Sequence, residues 1–500
     1  MKALVQGVGL KKQFWLFWVI LILAAFLRFY RLPSYMEFLG DQGRDVIIVR
    51  RFLTQGDLMF IGPQTSVGNM YLGPWYYYLM APFLLLANLN PVGPAIMVAL
   101  FGLATVWLIW RVGREWFDEK VGLMAALLMA VSPVVIYYSI FSWNPNIMPF
   151  FALLSIWLVW RIWQKGEYKR MLLLALSLAM VLNSHYLGLL LFPVVGIFLF
   201  LAWLKSKKNN LPQFSIQYSI FSILIFFVLM SPLALFDLRH NFANLNAFKQ
   251  FFTIRQTTVN FKFYKGFFKL PEIFNQLYAQ LLVRQDFWRP AYIVLPLILL
   301  ALWRERKNRA MMLIGAWLLV GLLGLANYKQ HVYAHYYGFL WPAAILFLAT
   351  SISYLNLALF LPTATLFLYL SLSNWHGRWQ PVYQFKRAKL VAQAICRRVQ
   401  EEELTGYNLV NLASYNDFRA LAYRYFLLKD CPQKPLRIDQ YPQAKALFIV
   451  WEDPTRYPDP VKTDIWEVQS GAPWRVAERF FVFDTKVLIL TKSRLDGQQR

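Results

Sequence analysis

The sequence predicts an all-α polytopic membrane protein of about eleven transmembrane helices, followed by a small C-terminal α/β domain. Its 500 residues are 58% hydrophobic and 15% charged, which is less charge than soluble domains carry. Apolar runs recur from residue 14 to residue 373, and several are shorter than the roughly 20 residues that a straight span needs. Beyond Ser373 these runs stop, and shorter helix-like and strand-like stretches alternate.

The formal net charge of +25 fits a membrane protein better than a nucleic-acid-binding protein. Lys and Arg accumulate in the cytoplasmic loops of membrane proteins, where they pair with anionic lipid. We therefore expect membrane lipids as partners and no nucleic acid. The apolar run after Lys11 and Lys12 lacks a small-residue cleavage site, so we interpret it as a retained first span.

Loop charges predict the topology. The predicted spans are 14–27, 95–112, 121–140, 147–163, 171–184, 187–204, 215–236, 291–303, 311–327, 337–355 and 357–373. With the N-terminus in the cytoplasm, four short basic loops also fall there, provided that 71–89 does not cross. We therefore interpret 71–89 as a juxtamembrane or re-entrant helix within one outer loop, 28–94. The predicted membrane domain is 1–373, in the plasma or inner membrane.

The predicted domain at 374–500 then lies outside the cytoplasm. Two of its stretches read as helices, AKLVAQAICRRVQEEE and DFRALAYRYFLLK, and three as strands, YNLVNLAS, KALFIVWE and FFVFDTKVLILTK. The chain's two cysteines, Cys396 and Cys431, fall here. On an oxidising face they could form a disulfide, and two free thiols are the alternative. Both alternatives stay open, with free thiols slightly favoured.

This topology brings several polar segments to the outer face: GDQGRD at 40–45, SWNPN at 142–146, NSHY at 183–186, DLRHN at 237–241 and NYKQHVYAH at 327–335. Four of the five histidines lie in the last three of these segments. We expect a site where these segments meet. The chain has no Walker A, HExxH, CxxC or GxSxG motif, which disfavours nucleotide-driven chemistry.

The stretch GDQGRDVIIVRRFLTQGD predicts a short amphipathic helix on the outer membrane surface. Asp41 stands where a capping residue would, and Gly56 where the helix would end. Asp45 follows Asp41 by four residues and shares its face. Asp41 can be a simple cap, but an interfacial carboxylate that faces basic and aromatic residues also suits a general base.

Other outer segments have both a structural and a functional interpretation. Tyr76 and Tyr77 belong either to an interfacial aromatic belt or to a platform for a sugar or lipid. Asn144 and Asn146 suit a turn before a helix, and their amides could also hold sugar hydroxyls or a metal ion. Lys329 either snorkels to the interface or provides a cation for a lipid phosphate.

Four segments in this order resemble the GT-C glycosyltransferases, and most closely glycosyltransferase family 39, with its protein O-mannosyltransferases and bacterial aminoarabinose transferases. They are GDQGRD, YLGPWYYYLMAP, SPVVIYYSIFSWNPN and the stretch that ends in HYYGFLWP. The resemblance implies a polyprenyl-phosphate sugar donor and a glycan, lipid or protein acceptor. It also implies inverting transfer on the outer face, with Asp41 as the base.

The resemblance also implies roles for further residues. Lys329, with His331 or His335, matches the positions that face the donor phosphate, and Arg255 is a weaker cation candidate from the outer loop. Tyr336 and Tyr337 would border the donor. Many relatives have Asp-Glu where this chain has Asp41-Gln42, so Asp45 could replace the second carboxylate. The remaining supporting candidates are Arg44, Tyr76, Tyr77, Asn144, Asn146 and His185. We expect no obligatory metal, although a divalent ion is compatible with the resemblance.

Two other functions explain part of the sequence. A transporter or lipid flippase would account for the spans and their polar residues. A non-catalytic scaffold would account for the outer domain. Neither gives a purpose to both the long outer loop and the outer domain, and we see no inverted repeat. We therefore favour the glycosyltransferase.

Overall fold

The computed structural model describes residues 2–65, 70–208, 216–253, 264–285 and 289–492. The chain forms two compact units. The membrane unit comprises Met1–Tyr30 and Asp57–Gln380, and the C-terminal unit comprises Arg31–Gly56 and Pro381–Arg500. The observed units differ from the predicted division at residue 373 in two respects, since the membrane unit extends to Gln380 and does not include 31–56. Residues 31–56 group with the C-terminal residues rather than with the predicted spans.

The described part of the membrane unit is helical. Its helices are α1 (Lys2–Phe29), α4 (Trp75–Leu86), α5 (Val92–Trp116), α6 (Glu119–Val131), α7 (Pro133–Tyr137), α8 (Met148–Lys165), α9 (Met171–Ser184), α10 (Leu191–Lys208), α11 (Ile216–Arg239), α12 (Ala243–Thr253), α13 (Tyr264–Val283), α14 (Ala291–Arg304), α15 (Arg309–Ala326), α16 (Trp341–Ser353) and α17 (Leu357–Ser373). Each predicted span overlaps one of these helices, except 121–140, which overlaps both α6 and α7. Pairs close in sequence pack side by side, as α5 does with α6 and α8 with α9.

Among the described residues, five helical segments are long and apolar enough to cross a membrane. They are Val92–Trp116, Asn144–Lys165, Tyr186–Lys207, Ile216–Arg239 and Arg309–Ala326. The count of eleven spans therefore stays a prediction. Helix α4 has 12 residues, or about 18 Å, well under the thickness of a bilayer core. That length agrees with a juxtamembrane helix.

The predicted span 121–140 is not one continuous helix. It breaks at Ser132 because Pro133 has no backbone N–H and disfavours a helical conformation for the residue before it. The buried guanidinium of Arg28 donates to the carbonyl oxygens of Met129 and Ala130, at 3.1 and 3.0 Å. These bonds satisfy carbonyls that the end of α6 would otherwise leave without a partner.

The C-terminal unit is a small α/β domain, as predicted. Its elements are α2 (Leu32–Tyr35), α3 (Gly40–Gln55), α18 (Gln384–Glu401), β1 (Tyr407–Leu412), α19 (Leu421–Asp430), β2 (Ala446–Trp451), α20 (Trp466–Gln469), β3 (Trp474–Val482) and β4 (Thr485–Lys492). The sheet order is β1-β2-β4-β3, with β1 and β2 parallel and the other pairs antiparallel. The crossover between β1 and β2 contains α19, as parallel neighbours require a long connection.

Helix α3 packs directly on α19. A β-carbon at Gly43 would lie 2.4 Å from the backbone nitrogen of Ala422, so the close approach requires glycine. The predicted end of α3 is confirmed, because Gly56 follows it with a left-handed φ of 76°. Cys396 of α18 and Cys431, directly after α19, form a disulfide. The preference for free thiols was therefore wrong.

Candidate functional site

The predicted site residues fall in both units. The segment with Asp41 belongs to the C-terminal unit, whereas the predicted asparagines, histidines and paired tyrosines belong to the membrane unit.

Asp41 is the second residue of α3, not its N-cap. Leu39 occupies the cap position, and its backbone N–H donates to Oε1 of Gln42 at 2.9 Å. The prediction that Asp41 caps the helix was therefore wrong, because the helix begins two residues earlier and Gln42 supplies the capping oxygen. The Asp41 side chain is 49% exposed. Its carboxylate is thus accessible in the first turn, where a helix favours negative charge.

Arg44 connects the two aspartates of this segment. Its Nη1 lies 2.8 Å from Oδ1 of Asp41, and its Nη2 lies 2.8 Å from Oδ1 of Asp45. The Nε atom of Arg44 also donates to the same oxygen of Asp45 at 2.9 Å. Asp45 is fully buried, so its charge requires this pairing. Asp45 therefore anchors Arg44, and Arg44 orients Asp41.

A third carboxylate near this turn, that of Asp417, was not predicted from the sequence. Asp417 is 8% exposed, and a β-carbon at Gly40 would lie 2.7 Å from its Cγ. Its Oδ2 accepts from the backbone N–H of Leu421 at 3.0 Å. Burial, with smaller contributions from the charges of Glu452 and Asp41, raises the pKa of Asp417 to about 7, although the hydrogen bonds from the backbone of Leu421 and Ala422 oppose this shift. No local sequence signal indicates this proximity, since Asp417 is hundreds of residues away along the chain.

In the membrane unit, an aromatic and imidazole cluster forms where three predicted segments meet. The ring of His335 lies 4.5 Å from that of Trp143 and 5.8 Å from that of His185. Tyr336 contacts both histidines, at 4.6 Å from His335 and 5.1 Å from His185. The structure therefore brings together three of the predicted site residues, His185, His335 and Tyr336, and adds Trp143. The SWNPN motif contained that tryptophan, and only its asparagines were singled out.

Both clustered histidines are neutral at neutral pH. Burial lowers the pKa of His185 to about 4. Burial lowers the pKa of His335 well below its usual range as well, and the nearby His185 lowers it further. Nδ1 of His185 accepts from the backbone N–H of Leu187 at 3.1 Å. The neutral ring therefore carries its proton on Nε2, where it can donate to a ligand.

The two asparagines lie in the helical segment that enters α8. Nδ2 of Asn144 donates to the carbonyl of Ser184 at 2.7 Å, which connects this segment to the end of α9. Nδ2 of Asn146 donates to the carbonyl of Phe141 at 2.9 Å. Oδ1 of Asn146 is buried without a hydrogen-bond partner. That oxygen is an acceptor with unused capacity.

Three predicted tyrosines are buried in the membrane unit rather than exposed as a platform. Tyr76 and Tyr77 are almost inaccessible, and the Tyr76 hydroxyl lies 2.6 Å from Oγ of Ser142. The hydroxyl of Tyr337 donates to Oε1 of Gln276 at 2.7 Å. Their rings contribute to helix packing. Tyr336, the fourth predicted tyrosine, lies in the histidine cluster.

Lys329 and His331 are exposed in the loop after α15. Since the two clustered histidines are neutral, Lys329 is the fixed positive charge in this predicted stretch. Arg255, the other predicted cation, lies outside the described residues. Within the described ranges, no group of three His, Cys, Asp or Glu side chains is arranged to hold a metal ion.

Comparisons with known proteins agree with this architecture. Residues 72–236 match the family described as dolichyl-phosphate-mannose-protein mannosyltransferase. No curated protein matches the chain in sequence comparison.

Solved structures match over most of the chain. ArnT from Cupriavidus metallidurans bound to undecaprenyl phosphate has a TM-score of 0.63 at 13% identity, covering 94% of this chain and 97% of its own. Its apo form has a TM-score of 0.61 at 12% identity, covering 96% and 98%. The oligosaccharyltransferase AglB from Archaeoglobus fulgidus, in complex with an inhibitory peptide and a dolichol-phosphate, has a TM-score of 0.54 at 11% identity, covering 88% and 69%.

Proposed function

Since this chain has the fold of the GT-C glycosyltransferases, we propose that it is a membrane glycosyltransferase with a polyprenyl-phosphate-linked sugar donor. The carrying observation is the likeness, over 94% of the chain, to a structure bound to undecaprenyl phosphate. The acceptor is a glycan, a lipid or a protein. Transfer takes place on the extracytoplasmic face of the plasma or inner membrane, with the N-terminus in the cytoplasm. The disulfide in the C-terminal unit supports an oxidising location for that unit.

In the proposed reaction, Asp41 is the general base. Its exposed carboxylate removes the proton of an acceptor hydroxyl as that oxygen attacks the anomeric carbon. The bond from the acceptor oxygen to this carbon forms, and the bond to the phosphate oxygen breaks. The lipid phosphate leaves with the electron pair, and attack from the opposite side inverts the configuration. Arg44 holds Asp41 in its orientation.

The donor site is formed by the membrane unit. The positive charge of Lys329 stabilises the phosphate that gains charge as the bond breaks. His331, exposed in the same loop, and Arg255 are further proposed contacts with the phosphate. His185 and His335 contribute neutral hydrogen-bonding groups, since their pKa values are too low for a positive charge at neutral pH.

The cluster of Trp143, His185, His335 and Tyr336 suits a sugar ring. Aromatic faces pack against the apolar faces of a sugar, and the Nε2–H of His185 can donate to a hydroxyl. The unused Oδ1 of Asn146 can accept from another hydroxyl. This chemistry requires no obligatory metal, because the leaving group is a phosphate whose charge Lys329 offsets.

The test is a membrane assay with a panel of polyprenyl-phosphate sugars that measures release of the lipid phosphate. We expect turnover of at least one donor by the wild type. Asp41→Asn should retain donor binding and lose activity by about 10²- to 10⁴-fold, the usual contribution of a general base. The matched control is Asp439→Asn, an exposed aspartate of the same unit, which should retain full turnover.

Three results would contradict all or part of this proposal. Failure to release lipid phosphate from any donor, across a broad set of acceptors, would exclude the glycosyltransferase. Movement of an intact lipid-linked sugar across the membrane would instead favour the flippase. Full turnover by Asp41→Asn would exclude Asp41 as the base but not the reaction.

A further inference from the structure

Asp417 lies at the meeting point of two helix N-termini in the C-terminal unit. Its Oδ1 and Oδ2 accept from the backbone N–H of Leu421, the first residue of α19, at 3.2 and 3.0 Å. On its other side it abuts Gly40, the first residue of α3, so closely that no β-carbon fits between them. Both helix N-termini favour the negative charge of this carboxylate. One buried side chain therefore contacts the starts of both helices.

The backbone on both sides of Asp41 is held in place by contacts with α19 and with the residues that precede α19. Gly40 precedes Asp41 and rests on Asp417. Gly43 follows Asp41 and rests on the backbone of Leu421 and Ala422. The disulfide between Cys396 and Cys431 ties the other end of α19 to α18. The first turn of α3 therefore has little freedom to move relative to the C-terminal unit.

We propose that Asp417 is a positioning residue for glycosyl transfer, which fixes the first turn of α3 and thereby the carboxylate of Asp41. This proposal rests on the proposed role of Asp41. The C-terminal unit would then contribute to catalysis directly, because it holds in place the helix that contains Asp41. A misplacement of about 1 Å in a reacting group can reduce a rate by about 10²-fold, so this support matters for catalysis.

The charges around Asp417 predict a distinctive pH dependence. Asp41 faces it from α3, Glu452 from the residue after β2, and Tyr415 and Tyr441 from the surrounding loops. Burial raises the pKa of Asp417 to about 7, whereas its bonds from the backbone of Leu421 and Ala422 favour the charged form. Lowering the pH through this value protonates Asp417 and weakens its hold on the helices. Activity should therefore fall below neutral pH in the wild type.

The experiment measures kcat and the donor KM of the full-length enzyme, with the donor identified in the assay above. Asp417→Asn keeps the shape of the side chain and removes its charge. We expect kcat to fall by about 10- to 100-fold while the donor KM stays constant within about twofold. The decline in activity below neutral pH should also disappear. Asp417→Glu, which restores the charge, should recover part of kcat.

The matched control is Asp459→Asn. Asp459 is an exposed aspartate of the same unit, and it accepts from the backbone N–H groups of Val461 and Lys462 at 3.1 and 3.2 Å. Asp459 therefore accepts hydrogen bonds from the backbone of a turn, as Asp417 does, but it does not lie at a helix N-terminus. We expect wild-type kcat and a wild-type pH profile for this variant.

A second variant keeps the test decisive if Asp417→Asn unfolds. Gly40→Ala retains the carboxylate of Asp417 but places a methyl group against it, and should lower kcat without a change in donor KM. If the variant that folds has wild-type kcat and a wild-type pH profile, the positioning role of Asp417 is overturned. The proposed function is unaffected by that result. Wild-type turnover by Asp41→Asn would overturn the proposed base and, with it, the positioning role of Asp417.

Discussion

The guanidinium of Arg44 contacts the carboxylate of Asp41 at 2.8 Å, and on its other side it pairs with the fully buried Asp45. Through Arg44, the fixed position of the buried Asp45 side chain restricts the exposed carboxylate of Asp41. A buried charge is costly unless it is paired, so Asp45 keeps Arg44 in place. Arg44 in turn limits the orientations of Asp41 that an acceptor can meet.

Replacement of Arg44 should affect both the orientation of Asp41, measured as kcat, and the pairing of the buried Asp45, measured as stability. Arg44→Lys retains the positive charge but cannot contact both carboxylates with a planar fork. We expect about a tenfold loss of kcat and a destabilisation of about 1–2 kcal/mol. Enzyme kinetics and thermal unfolding in detergent measure the two quantities. Arg51→Lys, on an exposed part of the same helix, is the control and should change neither. An unaffected Arg44→Lys variant would mean that Asp41 needs no such orientation.

The histidine cluster should make stability depend on pH. The pKa of His185 is about 4 in the folded protein and 6.5 in the unfolded chain. At a pH above 6.5 both states are neutral, so the full stability is present. As the pH falls from 6.5 towards 4, the unfolded chain binds the proton first and stability is lost. Because the His185 residue is only partly buried, we expect a loss of up to about 2 kcal/mol.

His185→Gln should therefore flatten this decline in thermal unfolding experiments between pH 6.5 and about 4. The control is His240→Gln, an exposed histidine whose Nδ1 lies 2.8 Å from the carbonyl of Phe236. It should retain the wild-type decline. An identical pH dependence in all three proteins would show that His185 titrates normally.

The aromatic ring of Trp143 should affect donor binding more than turnover. It lies 4.5 Å from His335, in the cluster proposed to contact the sugar. Trp143→Leu removes the flat aromatic face and keeps a smaller apolar side chain, and we expect the donor KM to rise about 5- to 30-fold, equivalent to about 1–2 kcal/mol. Trp107→Leu, at a 46% exposed position of α5, should leave KM unchanged. A fall in kcat alone would place the tryptophan outside the donor contact.

The disulfide should stabilise the C-terminal unit. It joins cysteines that are 35 residues apart, so its removal should cost roughly 2–4 kcal/mol. A paired Cys396→Ser and Cys431→Ser variant, compared with the wild type with and without a reducing agent, measures this cost by thermal unfolding. The reducing agent should destabilise the wild type and leave the double variant unchanged. Equal stability of all samples would indicate that the bond contributes nothing.

Removal of metal should leave activity intact. We expect full turnover after treatment with a chelator, since the proposed mechanism relies on Lys329 and hydrogen bonds for charge stabilisation. The measurement is lipid phosphate release before and after chelation, with Mg²⁺, Mn²⁺ or Zn²⁺ added back as controls. Loss of activity that one of these ions restores would overturn the expectation of a metal-independent enzyme.

Local patterns predicted much of the secondary structure. The apolar and charged residues between Gly40 and Gln55, followed by Gly56, were enough to predict α3 and its end. Strand β2 was recognisable from its continuous apolar residues. The exact start of α3 was not predictable in the same way, because the side chain of Gln42 rather than Asp41 satisfies its cap. The break at Pro133 was overlooked within an otherwise apolar run.

The sequence by itself determined where apolar helices form, where the composition changes at the start of the α/β domain, and which segments contain polar side chains suited to a site. Those features follow from hydrophobic periodicity and backbone preferences, which act over a few residues. Only the tertiary structure decided that α3 packs on α19, that Asp417 meets Gly40, and that Cys396 pairs with Cys431. Such contacts depend on how distant surfaces fit together. The absence of a β-carbon at Gly43 permits one of these contacts, and its partner, Ala422, lies more than 300 residues away along the chain.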